Sequence, residues 1–316
     1  MKKEICKLIV AFSVIAISLL IIDKAVGVIG RYAMLHMDNR TSDIGKANYL
    51  LNKVDDVDVL IIGSSRASHH YIPQMLQEHI KANYAVDSVS VYNAGIDGHF
   101  ATFNMCAAKS VLQRYTPKML VLEIMPTELC VFDGSGRSVS QLAPFCNVSN
   151  IAAAHVKNKD MKTRVQLASN MYCLNGKLLP VVKEYVFGSK TDGYDPLYST
   201  MQDASLERNV EQLAINEKVV SEFGDFLEFV AGSGCNVVIA TSPYFRFDSD
   251  CGLLSDMCDN YGVSYIDMMN VEYFDNHPEL FKDISHLNDD GAKQYTQMFF
   301  DVIHQRGLIN WADAKK

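Results

Sequence analysis

The sequence predicts an α/β protein: a three-layer α/β/α sandwich in which helices cover both faces of a central, mostly parallel sheet of five strands. Short apolar runs alternate with helix-like stretches along most of the 316 residues, and this alternation is typical of parallel sheets. Most of the runs end in glycine, serine, threonine or proline, as strands do before a tight turn. The composition, with 48% hydrophobic and 21% charged residues and only 8 prolines, excludes disordered, collagen-like and multi-span membrane classes.

The N-terminal segment 1–35 predicts a single transmembrane helix. The run Leu8–Ile22 has no charged residue, and as a helix it is about 22 Å long, short of a hydrocarbon core of about 30 Å. The helix reaches that length if part of 25–30 is included and Asp23 and Lys24 extend toward the outer interface. We therefore expect contact with the membrane through residues 8–29.

The charges around this run predict the orientation of the chain. Lys2, Lys3 and Lys7 precede the apolar run and favour a cytoplasmic N-terminus. The α/β domain, residues 36–316, would then lie in the periplasm or outside the cell, attached to the inner membrane. A cleavable signal peptide is the alternative, but no Ala-x-Ala-like cleavage site follows Ile22, which favours an uncleaved anchor.

The first half of the domain predicts three strands and two helices. The apolar run Asp58–Ile62 predicts a strand that ends in Gly-Ser-Ser. Pro73–Asn83 predicts a helix, with proline in its first turn. Ser88–Tyr92 alternates like a strand, and Phe100–Tyr115 has a helical pattern. Met119–Ile124 predicts the third strand, which ends before a proline.

The second half begins with a stretch that is too long for an ordinary connection. Residues 127–205 exceed the usual strand-to-helix link, so we expect an insertion with structure of its own or a lid. Leu206–Gly232 predicts a long helix. Asn236–Ala240 and Val263–Asp267 predict the fourth and fifth strands. Asp289–Gln305 predicts the closing helix, whose acidic first turn suits the helix dipole.

Charge and cysteine spacing exclude further classes of function. The chain has 29 basic and 37 acidic side chains, and its basic excess lies near the N-terminus, so the body is distinctly acidic. Because nucleic-acid binding depends on Lys and Arg neutralising phosphates, we expect no nucleic-acid partner. The eight cysteines include no Cys-x-x-Cys pair, so zinc-ribbon and thioredoxin-type sites are unsupported. Cys251 and Cys258 could pair outside the cytoplasm, or remain buried thiols.

Three residues form the sharpest candidate site. Ser65 follows the first strand at a tight turn, where its hydroxyl and nearby backbone N–H groups would be exposed. A serine hydroxyl needs a base at neutral pH, and His286 can supply it. Asp283, three residues earlier, can reach the other ring nitrogen and fix its tautomer. Taken singly, Gly-Ser-Ser is often a turn with a helix cap, and Asp-x-x-His recurs by chance.

Four polar residues near this site have less specific interpretations. Adjacent side chains diverge, so we expect His69 and His70 to have capping or surface roles and not to bind a metal. Arg66 is expected in a surface salt bridge, although it could also steady an acidic sugar or phosphate. Glu123 is unusual within a buried strand, and we expect its carboxylate to be hydrogen-bonded beneath the site.

Four segments, in order, resemble the SGNH/GDSL hydrolases. Ile61–Ser65 resembles the first block of that family, and Asn93–Gly98 resembles the second. Leu120–Glu128 is similar to the third-block strand, and Asp283–His286 matches the Asp-x-x-His of the fifth block in residue types and spacing. The resemblance implies a flavodoxin-like fold for the body, with a catalytic site assembled from these segments.

By position, the resemblance implies a role for each site residue. Ser65 would be the nucleophile, His286 the base and Asp283 its orienting carboxylate. The backbone N–H groups of Ser65 and Gly98 would form the oxyanion hole, with Thr127 at the place of a third donor. Two departures stand out: serine replaces the first-block aspartate, and Thr127 replaces the third-block asparagine. The loss of one oxyanion donor typically lowers the rate by ~10²–10³-fold.

The resemblance and the anchor together predict a function at the cell envelope. A first block reading Gly-Ser-Ser-Arg resembles membrane-anchored proteins associated with acyl modification of surface polysaccharides. We expect a serine esterase or O-acyltransferase acting on acyl, above all acetyl, esters of an envelope glycan, without a metal or organic cofactor. Other polysaccharide-assembly proteins are possible partners. The alternatives are a non-catalytic glycan-binding or assembly partner of the same fold, and a lipid esterase.

Overall fold

The computed structural model describes residues 2–132, 134, 136–157, 161–202, 209–210, 213–248, 252–309 and 311. Cys251 lies outside these residues, whereas Cys258 is a free, buried thiol, the second of the two alternatives predicted for this pair. Along the described residues, the strands are β1 (Val59–Ile62), β2 (Val91–Asn93), β3 (Met119–Glu123), β4 (Asn209–Val210), β5 (Asn236–Thr241), β6 (Phe247–Asp248), β7 (Ser264–Asp267), β8 (Phe281–Asp283) and β9 (His286–Leu287).

The α-helices of the described residues fall into two sets, before and within the insertion and then after it. The first set is α1 (Lys2–His36), α2 (Asp43–Asn48), α3 (Ser65–His70), α4 (Pro73–Asn83), α5 (Ala101–Leu112), α6 (Ser138–Leu142), α7 (Asn150–Lys157), α8 (Met161–Leu167), α9 (Asn170–Cys173) and α10 (Leu178–Phe187). The second set is α11 (Glu217–Ala231), α12 (Gly252–Tyr261), α13 (Glu272–Asp275) and α14 (Asp289–Gln305).

Five strands form the central sheet in the order β2-β1-β3-β5-β7, and each neighbouring pair is parallel. When only these five strands are numbered, in chain order, the sheet has the 2-1-3-4-5 order of flavodoxin-like folds. The predicted α/β fold class is therefore confirmed. In such sheets, ligands bind in the crevice at the carboxyl ends of the strands, where β1, β2 and β3 lead into Ser65, Gly98 and Thr127.

The sheet separates two apolar layers, because alternate side chains of a strand point to opposite faces. Leu60 and its equivalents on neighbouring strands pack with Phe103 of α5 and Phe226 of α11. Ile61 and its equivalents pack on the other face, with Phe299 of α14. Both layers are buried, and they hold the strand ends at fixed positions.

The N-terminal helix α1 is long and apolar enough to cross a membrane. Its side chains are exposed as far as Ile22, whereas Gly27, Gly30 and Met34 are buried against the body. Because these positions recur every three or four residues, they occupy one face of the helix. The helix therefore has an unpacked first part and a packed last part.

The insertion contains five of the described α-helices, α6 to α10, between β3 and β5. The predicted long helix Leu206–Gly232 is wrong in its first part. Asn209–Val210 pairs in parallel with Phe247–Asp248, while 206–208 and 211–212 lie outside the described residues. The helix begins only at Glu217 because Asn216 caps it, with its side chain accepting a hydrogen bond from the N–H of Val219.

Candidate active site

The turn after β1 places Ser65 at the edge of the sheet. Ser65 is the first residue of α3, so its N–H has no partner within that helix. The turn depends on Gly63, where a Cβ atom would lie only 2.7 Å from the Cβ atoms of Ala67 and Glu123. Ser64 precedes the helix but makes no side-chain capping bond, so the cap interpretation of Gly-Ser-Ser does not hold.

The side chains of Ser65, His286 and Asp283 meet at this edge. The Oγ atom of Ser65 lies 2.8 Å from Nε2 of His286. Nδ1 of His286 lies 2.9 Å from Oδ1 and 3.1 Å from Oδ2 of Asp283. An ionised carboxylate only accepts hydrogen bonds, so Nδ1 carries the proton and Nε2 is left to accept the Ser65 hydroxyl proton.

The carboxylate of Asp283 is held by its own chain segment. Its Oδ1 atom accepts hydrogen bonds from the backbone N–H groups of Ser285 and His286, at 2.9 and 3.0 Å. Partial burial opposes ionisation of Asp283, but the bonds from His286 and Ser285 outweigh it and lower the pKa of the carboxyl group. The lowered pKa favours the carboxylate form of Asp283, which can accept the Nδ1 proton of His286.

Gly98 lies in the loop after β2, at the same edge of the sheet. Its φ is 66°, a conformation that favours glycine, and its carbonyl accepts a 2.8 Å hydrogen bond from Gln141 Nε2. The loop is joined to α3 by a 3.4 Å contact between His69 Nε2 and Asp97. Burial lowers the pKa of His69, but its hydrogen bonds to Asp97 and Asp195 outweigh this and raise it.

Thr127 is the second residue of the short 3₁₀ turn Pro126–Leu129 that follows β3, and it is half-buried. Since β3 is the parallel neighbour of β1, the turn that carries Thr127 and the turn that carries Ser65 lie at the same edge of the sheet. Its hydroxyl makes no hydrogen bond to Ser65 or His286 in the described part of the chain. The structure thus brings Ser65, His286 and Asp283 into direct contact, whereas Thr127 shares only the sheet edge.

Beneath Ser65, His286 and Asp283 lies a buried polar network, of which the sequence predicted only the hydrogen-bonded carboxylate of Glu123. His70 is fully buried, and its Nε2 accepts the backbone N–H of Leu287 at 3.0 Å. Its Nδ1 must then be the protonated nitrogen, and it donates to Ser242 Oγ at 2.7 Å. Ser242 Oγ in turn donates to Glu123 Oε1 at 2.8 Å. Burial, together with the nearby Arg66 and His286, lowers the pKa of His70 and keeps it neutral.

Arg66 completes this network and corrects the expectation of surface roles for it and for His69 and His70. All three side chains are buried. Nε of Arg66 lies 3.3 Å from Glu123, and Nη2 donates to the carbonyl oxygen of Ser242. Burial raises the pKa of Glu123, and Arg66 opposes that rise. Glu123 is hydrogen-bonded beneath the site, as expected for a carboxylate in a buried strand.

A buried lysine is a second feature that sequence reasoning missed. Lys46, on α2, is 5% exposed, and its Nζ donates to the carbonyl oxygens of Gly95 and Gly193, at 2.9 and 2.7 Å. Burial lowers its pKa. The lysine thereby joins the Gly95 loop to the end of the insertion, where Asp195 N–H donates to the carbonyl oxygen of Ser68 on α3. No local pattern around Lys46 marks it as buried.

Within the described ranges, no three His, Cys, Asp or Glu side chains are grouped so that they could hold a metal ion. The contacts of Ser65, His286 and Asp283 join a hydroxyl, an imidazole and a carboxylate by consecutive hydrogen bonds. These groups can activate an alcohol for attack on a carbonyl carbon.

Comparisons with known proteins add similarities of low identity. No family model and no curated protein matches this chain. Among solved structures, it is similar to a lipase/acylhydrolase from Enterococcus faecalis, with 14% identity, a TM-score of 0.38, and coverage of 79% of this chain and 97% of that one. It is also similar to LAE5, an α/β hydrolase enzyme from the metagenome of Lake Arreo, Spain, with 12% identity, a TM-score of 0.38, and coverage of 81% and 98%. Likeness at this level carries no weight for activity, so a function has to be argued from the site's own geometry.

Proposed function

We propose that this protein is an SGNH-type serine esterase or O-acyltransferase that acts on acyl esters, above all acetyl esters, of a cell-envelope glycan. One observation carries the proposal: Ser65 Oγ lies 2.8 Å from His286 Nε2, while the other ring nitrogen faces Asp283 at 2.9 Å. This is the separation that general-base activation of a hydroxyl requires.

In the first half-reaction, Ser65 Oγ attacks the carbonyl carbon of the ester. His286 Nε2 takes the hydroxyl proton, and Asp283 stabilises the imidazolium that forms. When the tetrahedral intermediate collapses, the bond from carbon to the leaving oxygen breaks. The proton passes from His286 to that oxygen, which leaves the acyl group esterified to Ser65.

In the second half-reaction, the acyl group leaves Ser65. His286 removes a proton from water or from a sugar hydroxyl, whose oxygen attacks the acyl carbon, and then returns the proton to Ser65 Oγ. Hydrolase and transferase thus differ only in the attacking oxygen. The end of the insertion, held against α3 through Asp195, is well placed to exclude water from the site and favour transfer.

The negative charge of each tetrahedral intermediate needs hydrogen-bond donors. We assign this role to the N–H groups of Ser65 and Gly98, with the Thr127 hydroxyl as a third donor. Thr127 stands where the resembling family has asparagine, and its side chain is shorter. One weaker donor lowers the rate without removing the chemistry, since a single donor is worth ~10²–10³-fold.

Helix α1 supports the proposed location. Its exposed apolar residues and the preceding Lys2, Lys3 and Lys7 favour a single crossing of the inner membrane with the N-terminus in the cytoplasm. The body would then face the periplasm or cell exterior, where envelope glycans are built and where their assembly proteins would be its partners.

A fluorophosphonate probe on the purified full-length protein tests the proposal. We expect covalent labelling that disappears in Ser65→Ala and persists in Ser64→Ala, a matched control one residue away. A matching loss of acetyl-ester turnover would assign the reaction to the same residue. Absence of labelling in the wild-type protein would contradict the enzyme.

The departure at Thr127 supports one further candidate function. A protein with a weakened oxyanion hole could bind acylated glycan, or act in an assembly, without turning it over. Absence of labelling together with binding of envelope polysaccharide would favour this non-catalytic partner.

A further inference from the structure

Three hydrogen bonds join the anchor helix to the insertion at Asp23. The carboxylate of Asp23 accepts hydrogen bonds from Ser169 Oγ at 2.7 Å and Asn170 Nδ2 at 3.0 Å. It also accepts the backbone N–H of Met171 at 2.8 Å. Asp23 is the first charged residue after the apolar run Leu8–Ile22. These bonds therefore join the end of that run to the N-terminal end of α9.

Two glycines bring α1 and α9 into close contact just beyond these bonds. A Cβ atom at Gly27 would lie 2.4 Å from Asn170 Cγ, and one at Gly30 would lie 2.4 Å from Leu174 Cδ1. Arg31 Nη1 also donates to Asn170 Oδ1 at 2.9 Å. With backbones this close and side chains bonded, α9 and the adjoining α8 keep a fixed height along α1.

Part of the α8–α9 pair lies alongside the apolar run of α1. An open groove separates α1 from the α8–α9 pair, and its lining residues are Ala16, Leu19, Leu20, Asp23, Val165, Ala168, Ser169 and Met171. Ala16 precedes Asp23 by seven residues, which is about 10 Å along the helix axis. If α1 crosses the membrane with Leu8–Ile22 in the hydrocarbon, Val165 therefore lies below the outer boundary of the bilayer.

The surface of α8 and α9 has the composition of a membrane interface. Met161 and Val165 are 71% and 65% exposed, and Met171 and Tyr172 are also exposed. Basic side chains lie among them, since Lys162 and Arg164 of α8 are exposed too. Apolar side chains beside lysine and arginine are typical of helices that lie in the plane of an anionic bilayer surface.

A polar cavity lies next to the groove, closer to the C-terminal end of α1. It measures about 250 Å³, and Lys24 and Arg31 are among its lining residues, together with Asn147 and Asn170. Lys24 follows Asp23 directly, so its ammonium group lies near the height of lipid phosphates when the groove is in hydrocarbon, whereas Arg31 is about 10 Å farther along the helix. Along α1, apolar residues at the groove are thus followed by basic residues at the cavity, as acyl chains are followed by head groups in a lipid leaflet.

We propose that α8 and α9 are embedded in the outer leaflet of the same membrane that α1 crosses, so that the body is held on the bilayer in one orientation. The occupant of this surface is lipid: acyl chains along the groove, and anionic head groups at the basic side chains. The inference rests on the membrane crossing in the proposed function, and it adds a second contact that fixes the height of the insertion.

Depth-dependent quenching of tryptophan fluorescence tests this inference on the full chain. The protein has one tryptophan, the buried Trp311, which supplies the background emission. Leu20→Trp, Val165→Trp and Val186→Trp each add one tryptophan at an exposed position. The proteins are placed in vesicles of phosphatidylethanolamine and phosphatidylglycerol that contain phosphatidylcholine brominated near either end of its acyl chains.

Val186 is the matched control, because it is 56% exposed but lies higher on the protein. The ring of its neighbour Tyr185 packs against Tyr32, which follows Asp23 by nine residues, or about 13 Å of helix. We expect Leu20→Trp and Val165→Trp to lose more than half of the added emission to brominated lipid. Val186→Trp should keep its emission.

The outcomes separate this inference from the proposed location. If Leu20→Trp is quenched and Val165→Trp is not, α1 is inserted in the membrane but the surface of α8 and α9 is not in contact with lipid. That surface would then be covered by protein, such as a second copy of the chain, and the inference fails. If Leu20→Trp is not quenched either, the crossing itself fails, and the proposed location fails with it.

Discussion

The ring of His70 accepts a hydrogen bond from the backbone N–H of Leu287, the residue that follows His286. The 3.0 Å bond joins α3, which begins with Ser65, to the strand that carries His286. Because the donor is a backbone N–H, the geometry assigns His70 a single tautomer. We therefore expect His70 to act as a positioning residue that holds Ser65 and His286 at their observed distance.

Variants of His70 should separate its two hydrogen bonds. Gln can place an acceptor near Leu287 N–H, whereas Asn is too short to reach it and leaves that buried N–H unpaired. A shift of about 1 Å in a catalytic group can cost ~10²-fold in rate. We expect His70→Asn to lower kcat by about this factor with little change in KM, and His70→Gln to lower it less. Equal kcat values for wild type and His70→Asn would contradict the positioning role.

Replacement of Asp283 by Asn should reduce catalysis without unfolding the segment. The amide oxygen can still accept the N–H groups of Ser285 and His286, but the charge that stabilises the imidazolium is lost. We expect kcat to fall by up to about 10⁴-fold. Asp290→Asn, at an exposed carboxylate on α14, is the matched control and should leave kcat unchanged. Steady-state kinetics on an acetyl ester measures both.

Gly98→Ala should affect both stability and activity. The left-handed backbone at φ 66° costs a residue with a Cβ atom about 1–2 kcal/mol, although the added methyl group itself meets open space. Relief of that strain would turn the Gly98 N–H away from the oxyanion. Gly136→Ala, also in open space but without a positive φ, should be neutral. Chemical denaturation gives the free energy of unfolding, and unchanged stability and kcat in Gly98→Ala would remove Gly98 from the site.

Glu128 should make the protein less stable as pH rises. Burial raises the pKa of this carboxyl group to about 8, although a hydrogen bond from the N–H of Met125 opposes the rise. In the unfolded chain the group loses its proton near the ordinary value of about 4.3, so between these values the folded state binds more protons. The free energy of unfolding therefore falls from about pH 5 to pH 8.

Glu128→Gln isolates this effect, because the amide oxygen keeps the bond to Met125 and does not ionise. We expect the variant to gain stability over wild type at pH 8 and to gain little at pH 5. Thermal unfolding of both proteins across this range measures the difference, and a constant difference would show that Glu128 is not the titrating group.

The sequence determined the elements whose causes are local. The apolar run of α1, the strands Val59–Ile62 and Met119–Glu123, and the helix Pro73–Asn83 follow from side-chain periodicity and end signals within a few residues. The approach of Asp283 to His286 is similarly local, because three residues and one turn separate them.

Tertiary structure alone decided the contacts across the chain. Ser65 and His286 are 221 positions apart, and their 2.8 Å contact depends on the packing of α3 and β9 around the sheet. Arg66 and His70 are residue types that usually lie at the surface, yet both are buried and bond to the buried Glu123 and Ser242. Residues 161–173 contain no signal that they lie against α1. Local patterns record only what neighbours in sequence do, whereas burial and partnership are set by which distant surfaces pack together.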